Sequence, residues 1–406
     1  MQNYIRKDSY SQLVKSLRGG VNLIQAVIGP RQVGKTTLAL QLFESWKGPK
    51  LYETADQPDT PSSEWISARW EMIRRQNKAA GRKSLLILDE VQKIPHWSNA
   101  VKKLFDEDRR RRLDIRVILL GSSALLMQKG LTESLAGRFE THRHNQWSFS
   151  ECRECFSLSF EEYIYFGGYP GALALRKDEI RWAGYIRDSL IETVLSKDIL
   201  LLAPVSKPVL LRQAFGLAVS CPAQIVSYQK MLGSLQDAGN TTTIASYLHL
   251  LSKAFLLAPL ERWSGSRIRQ RGSIPKILVF DNGIISAMRG ARFKAVFNDK
   301  AAWGRLIENA VGAQLYFLAQ KQGGELFYWR DRNNEIDYVL KIGDRIKAIE
   351  VKSGKDARST EAFTLFQKQY KTAQAIVILE SKSQPDNLLR KLNLKDFFSS
   401  PEKILE

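Results

Sequence analysis

The run GPRQVGKT, Gly29 to Thr36, has residue types at a spacing suited to holding phosphate. It fits G-x-x-x-x-G-K-[ST] at each fixed position, and the cradle it predicts runs through Gly29, Pro30, Arg31, Gln32, Val33, Gly34, Lys35, Thr36 and Thr37. The glycines let the backbone curl until its N–H groups converge on one anion, and a helix starting there adds the positive end of its dipole. Lys35 would neutralise the β and γ phosphates of a nucleotide, and the Thr36 hydroxyl would ligate Mg2+. Downstream, SLLILDEVQKIP puts Asp89 and Glu90 at the end of an apolar run. Asp89 suits the magnesium shell, and Glu90 suits orienting and deprotonating an attacking water. A third apolar run, DIRVILLGSSALL, ends in Ser122 and Ser123, either of which can face a γ phosphate.

A second constellation lies in EIDYVLKIGDRIKAIEVKSG. Read as a hairpin that turns at Gly343 and Asp344, glycine first as a type II′ turn favours, it sets Asp337 opposite Glu350 and Glu335 opposite Lys352. Opposed residues share a face, so these four gather on one side, while Ile336, Tyr338 and Leu340 form a core face with Ile349 and Val351. Facing carboxylates repel unless a cation lies between them. Mg2+ there, with Lys352 beside the attacking water, is what phosphodiester hydrolysis requires. The alternatives are a solvated polar face, or a fold that kept these residues and only binds DNA.

These residues need elements to place them. NLIQAVIG reads as a buried strand leading into the cradle, and Leu38, Leu40, Leu42 and Phe43 as a helix leaving it. The acid pair is expected on a strand neighbouring the first. The continuous apolar runs suit parallel strands covered on both faces. SLSFEEYIYFGGYPGALAL and YIRDSLIETVLSKDIL read as helices broken at GGYPG. Three further helical patterns, VLLRQAFGLAVS, QIVSYQKMLGSL and TTTIASYLHLLSKAF, precede two short strands, LLAPLERW and PKILVFD, in the order of a winged helix. The connecting tip carries Arg267, Arg269 and Arg271, with Arg262 and Trp263 at its base, as candidates for DNA backbone contact.

At 406 residues the chain exceeds one core, and its formal charge of +19 favours a polyanionic partner over the acidic or neutral balance of most enzymes. No apolar run is long enough to span a bilayer and the N-terminus lacks a signal segment, so a cytoplasmic protein with no membrane association is expected. Cys152, Cys155 and Cys221 cannot form a disulfide framework, and Cys152 and Cys155 beside His142 and His144 make a weak metal pattern. Arg109 to Arg112 read as a solvated face.

The LLILDEVQKIP and LLGSS runs after the cradle resemble the AAA+ superfamily. That resemblance implies a sensor at Ser122 or Ser123 and an arginine finger at Arg138 in ESLAGRFE, which would act in a neighbouring subunit of a homo-oligomer. Arg138 has a second reading, as a helix cap or solvent-facing residue. Asp337 followed by EVK resembles the PD-(D/E)xK nuclease superfamily, without the proline, and implies that Glu308 joins Asp337 and Glu350 as a further ligand or a water anchor. With GGYPGAL, SKDI, SYLHLLSKAFLL and DNG, the whole resembles a group of prokaryotic ATPases with a C-terminal domain of unknown function.

The expectation is an α/β protein with a P-loop parallel sheet covered by helices on both faces. Its ATPase core is set at residues 1–155, a helical lid at 156–202, a winged helix at 203–290 and a PD-(D/E)xK-like domain at 291–406. ATP and Mg2+ are the implied cofactors. The expected activity is ATP hydrolysis acting on DNA, branched or single-stranded, without sequence preference. Two alternatives are an ATP-controlled assembly switch that recruits a protein through the winged helix, and an ATP-gated, metal-dependent DNA nuclease.

Overall fold

The computed structural model describes residues 4–122, 124–200, 205–235, 240–265, 270, 272–352, 361–371, 373–380 and 390–406. They belong to two compact units, Met1–Gln146 with Ser196–Ala203, and Trp147–Leu195 with Pro204–Glu406.

In the first unit, strands β1 (Ile24–Ile28), β2 (Lys50–Thr54), β3 (Ser84–Asp89), β4 (Ile115–Leu120) and β5 (Phe139–Arg143) form a parallel sheet in the order β2-β3-β4-β1-β5. Helices α1 (Lys7–Arg18), α2 (Lys35–Ser45), α3 (Ser63–Ala80), α4 (Trp97–Arg111) and α5 (Ala124–Ser134) alternate with the strands. The three anticipated strands, β1, β3 and β4, are buried throughout. Leu85, Ile87, Ile118 and Leu120 pack with α1 and α2, while Leu86, Leu88, Val117 and Leu119 on the opposite face are equally buried. The sheet edges, KLYET and FETHR, were not anticipated, because their mixed polarity hides them from a search for apolar runs. The expected adjacency is also corrected: β4 lies between β1 and the acid-bearing β3. In α2, Leu38 and Leu42 face the core, whereas Leu40 is exposed.

In the second unit, the GGYPG break is held by a distant acid. Gly167 has a φ of +73°, and a Cβ there would lie 2.0 Å from Asp281 Oδ1. Gly168 N donates to Asp281 Oδ2 at 2.7 Å, while Oδ1 accepts from Gly283 N, so the GGYPG and DNG motifs lock together. The helices Pro208–Ser220, Tyr228–Gly233 and Thr241–Lys253 precede an antiparallel ribbon of β6 (Leu257–Leu260) and β7 (Lys276–Val279), the order expected of a winged helix.

After the long helix Lys300–Lys321 comes a mixed sheet of β8 (Glu325–Asp331), β9 (Asn334–Ile342), β10 (Arg345–Lys352), β11 (Gln374–Leu379) and β12 (Arg390–Asn393), in the order β12-β11-β10-β9-β8. The β9–β10 hairpin turns at Gly343, with φ +57°, and pairs Ile342 with Arg345 through Tyr338 with Ile349, the anticipated register. Its polar face is narrower than expected, for Val339 and Ala348 on that face are fully buried with Trp329, Phe363 and Phe366. No helix among the described residues is long and apolar enough to cross a membrane.

Candidate functional site

The cradle is fixed at both glycines. His144 N donates to Ile28 O at 2.8 Å, bringing β5's end so close that a Cβ on Gly29 would meet His144 O at 2.0 Å. Gly34 has a φ of +96°, open to glycine and strained for other residues. Lys35, the first residue of α2, is buried, and its Nζ donates to Gly29 O at 3.1 Å and Pro30 O at 2.6 Å. Burial lowers its pKa to about 8, against the pull of Glu90. Arg31 reaches out of the loop to Asp198, Nε to Oδ2 at 2.7 Å and Nη2 to Oδ1 at 2.6 Å. Asp198 belongs to the SKDI stretch that returns to this unit, and nothing local in the sequence pairs it with Arg31.

Asp89 and Glu90 stand at the end of β3. Asp89 Oδ2 accepts from Thr36 Oγ1 at 2.9 Å and from Tyr52 Oη at 2.8 Å, and its Oδ1 accepts from the Glu90 backbone at 2.9 Å. Sequence reasoning missed Tyr52, which sits on the unanticipated β2. Burial and the nearby Asp89 push the Tyr52 phenol up, keeping it a donor. Glu90 has a left-handed φ of 55°, and its Oε2 accepts from Ser122 Oγ at 2.8 Å and Gln92 Nε2 at 2.6 Å. Because β4 is inserted between β1 and β3, its C-terminal end delivers Ser122 to this acid. Gly121 brings this strand end close to Gln92 and Met127, since a Cβ would lie 2.3 Å from Gln92 Oε1 and 2.5 Å from Met127 Cγ unless those side chains moved. Ser123 lies outside the described residues.

Arg138, expected as an arginine finger or as a helix cap or solvent-facing residue, stands part-exposed just before β5. Its guanidinium grips Asp106 of α4 in a bidentate pair, Nε to Oδ1 at 2.8 Å and Nη2 to Oδ2 at 2.9 Å. His142 bonds Gln25 and His144 meets Arg6, while Cys152 is buried. Among the described residues no group of three or more His, Cys, Asp or Glu side chains is disposed to hold a metal ion.

The C-terminal carboxylates come together around a cation the sequence reading passed over. Lys276 Nζ lies 2.7 Å from Glu308 Oε1, 3.3 Å from Glu335 Oε1 and 3.6 Å from Asp337 Oδ1. Glu335 therefore pairs with Lys276 and not with Lys352, whose Nζ sits 2.8 Å from Glu350 Oε2. Asp337 Oδ2 accepts the backbone N–H of Val351 at 2.8 Å, beyond the last ladder pair. Two ammoniums thus face four carboxylates. Burial first, then the charge of Asp337, pushes Glu308 and Glu350 up to about 7. Of the ribbon residues, Arg262 is exposed and Arg267, Arg269 and Arg271 lie outside the described residues. Trp263 is core, packed on Phe327 and Tyr370.

Residues 21–153 match a family model described as an AAA domain, residues 157–295 one described as a domain of unknown function (DUF8612), and residues 303–392 another (DUF4143). Uncharacterized protein Rv2008c of Mycobacterium tuberculosis is 27% identical over 349 residues, covering 86% of this chain and 74% of that protein. Uncharacterized protein MJ1544 of Methanocaldococcus jannaschii is 21% identical over 350 residues, covering 81% and 74%. Among solved structures, the Aeropyrum pernix Orc1 protein in complex with DNA aligns at 13% identity and TM-score 0.30, over 71% of this chain and 93% of that one. The Thermotoga maritima RuvB Holliday junction branch migration motor aligns at 12% and 0.31, over 63% and 89%. The chain therefore carries an AAA-type P-loop ATPase domain over residues 21–153, followed by regions similar to two domains of unknown function.

Proposed function

We propose that this protein is a Mg2+-dependent ATPase that acts on DNA. The observation that carries the reading is the meeting of Thr36 Oγ1 with Asp89 Oδ2 at 2.9 Å, beside Lys35 and Glu90. A hydroxyl and a carboxylate are the hard oxygen donors that Mg2+ takes, so the residues fit the ion. Mg2+ held there would supply positive charge to the β and γ phosphates. Lys35 would exchange its bonds to the Gly29 and Pro30 carbonyls for phosphate oxygens. Glu90, oriented by Ser122 and Gln92, would take a proton from the water whose oxygen attacks the γ phosphorus, as the bond to the β–γ bridging oxygen breaks and ADP leaves.

Support for DNA comes from the net charge of +19 and from the surface of the third helix of the winged-helix-like region. Thr242, Ser246, His249 and Lys253 form an exposed polar stripe opposite the buried Ile244, Tyr247, Leu248 and Leu251. Such a stripe suits groove and phosphate contact without much base reading. The test is the ATPase rate with and without single-stranded, duplex and branched DNA at two salt concentrations. Stimulation that weakens with salt is expected. Equal rates with and without DNA, and no binding at low salt, would overturn the DNA role and leave the ATPase standing.

A further inference from the structure

Lys276 begins β7 and is 1% exposed, an unusual place for an ammonium. Its Nζ lies within 3.6 Å of carboxylate oxygens of Glu308, Glu335 and Asp337, 3.4 Å from the Asp337 carbonyl, and 5.0 Å from the centre of the Tyr338 ring. The site is tightly built. Tyr338 Oη donates to Glu308 O at 2.8 Å, and Gly312 is what admits the ring, since a Cβ there would lie 2.4 Å from Tyr338 Oη.

We propose that Lys276 is an internal cation, its ammonium standing where a divalent metal would have to sit among Glu308, Glu335 and Asp337. The cluster is then a closed ion-pair network that holds no catalytic metal among these three acids. The donor set alone resembles a metal site, but the space between the donors is taken. Mg2+ needs oxygens at about 2.0–2.1 Å in octahedral array. An ion that close to both Glu308 and Asp337 would share a buried pocket with Nζ, and two like charges so near each other repel strongly. The ammonium in turn has a reason to stay, because an uncompensated buried charge is far costlier than one ringed by carboxylates. The network also ties the β6–β7 ribbon to β9, which gives the lysine a structural role in place of a metal's.

The test is a Mn2+ titration of the nucleotide-free full chain, with bound ions counted from the loss of the free-ion electron paramagnetic resonance signal. Wild type and Asp337→Asn are expected to bind the same number of ions. Lys276→Ala is expected to bind one more, and the double substitution Lys276→Ala with Asp337→Asn to lose it. A wild-type ion that disappears in Asp337→Asn would overturn the proposal, as would a folded Lys276→Ala that gains none. Thermal melts establish folding. Should Lys276→Ala not fold, Lys276→Met keeps the stem and removes only the charge, and the comparison of wild type with Asp337→Asn decides by itself.

Discussion

Each unit sets carboxylates from strand ends beside a buried lysine, but the partners differ in charge. Asp89 and Glu90 are held by Thr36, Tyr52, Ser122, Gln92 and a backbone N–H, all neutral donors, while Lys35 turns to carbonyl oxygens. Neutral donors leave the charge of the acids uncancelled, so the pair remains able to receive a cation. Glu308, Glu335 and Asp337 meet an ammonium instead, and Glu350 meets a second. A motif supplies the acids in both cases. What surrounds them decides whether a metal is wanted.

The comparison breaks most visibly at Lys35. Lys35→Ala is expected to lower ATP turnover by at least about 100-fold, as loss of a cation that stabilises transition-state charge does, and phosphate release measures it. An unaffected rate would remove the first site from the chemistry.

A pH series sharpens the same point. Free Lys35 gives up its proton near pH 8, and bound phosphate would hold that proton to higher pH. Binding then takes up a proton above pH 8, so ATP affinity falls as pH rises, by up to about tenfold per unit, and is level between neutrality and pH 8. A profile flat through alkaline pH would contradict this.

Smaller effects separate the neutral donors from the ammoniums. Tyr52→Phe removes one of three bonds to Asp89 and is expected to cost about 0.5–1.5 kcal/mol of stability by denaturant melt. Asp337→Asn is expected to leave the ATPase rate within experimental scatter, since its partners lie wholly in the second unit. A large drop would mean that the two sites are energetically linked.

Much of this was legible because it is local. The cradle needs one strand, one loop and one helix start, so its spacing is fixed within a few residues, and the β9–β10 register follows from one glycine turn. β2 and β5 were not legible, since an edge strand need not be apolar. Tyr52 was missed with β2. Asp198 is 167 positions from Arg31 and Lys276 is 59 from Glu335, so chain folding makes those pairings, with no repeat or spacing to announce them. A lysine opening an otherwise apolar strand, PKILVFD, was the one available hint of Lys276. A charge entering a core needs a partner, and the carboxylate hairpin was the place to look.

The role of Glu90 is tested by a single-turnover experiment with Glu90→Gln and Mg2+·ATP, in which bound and cleaved nucleotide are both measured. ATP is expected to bind as in wild type and to be cleaved about 10²–10⁴-fold more slowly, the loss that follows removal of a general base. Cleavage at the wild-type rate would contradict it, for the acid held by Ser122 and Gln92 would then have no part in activating water.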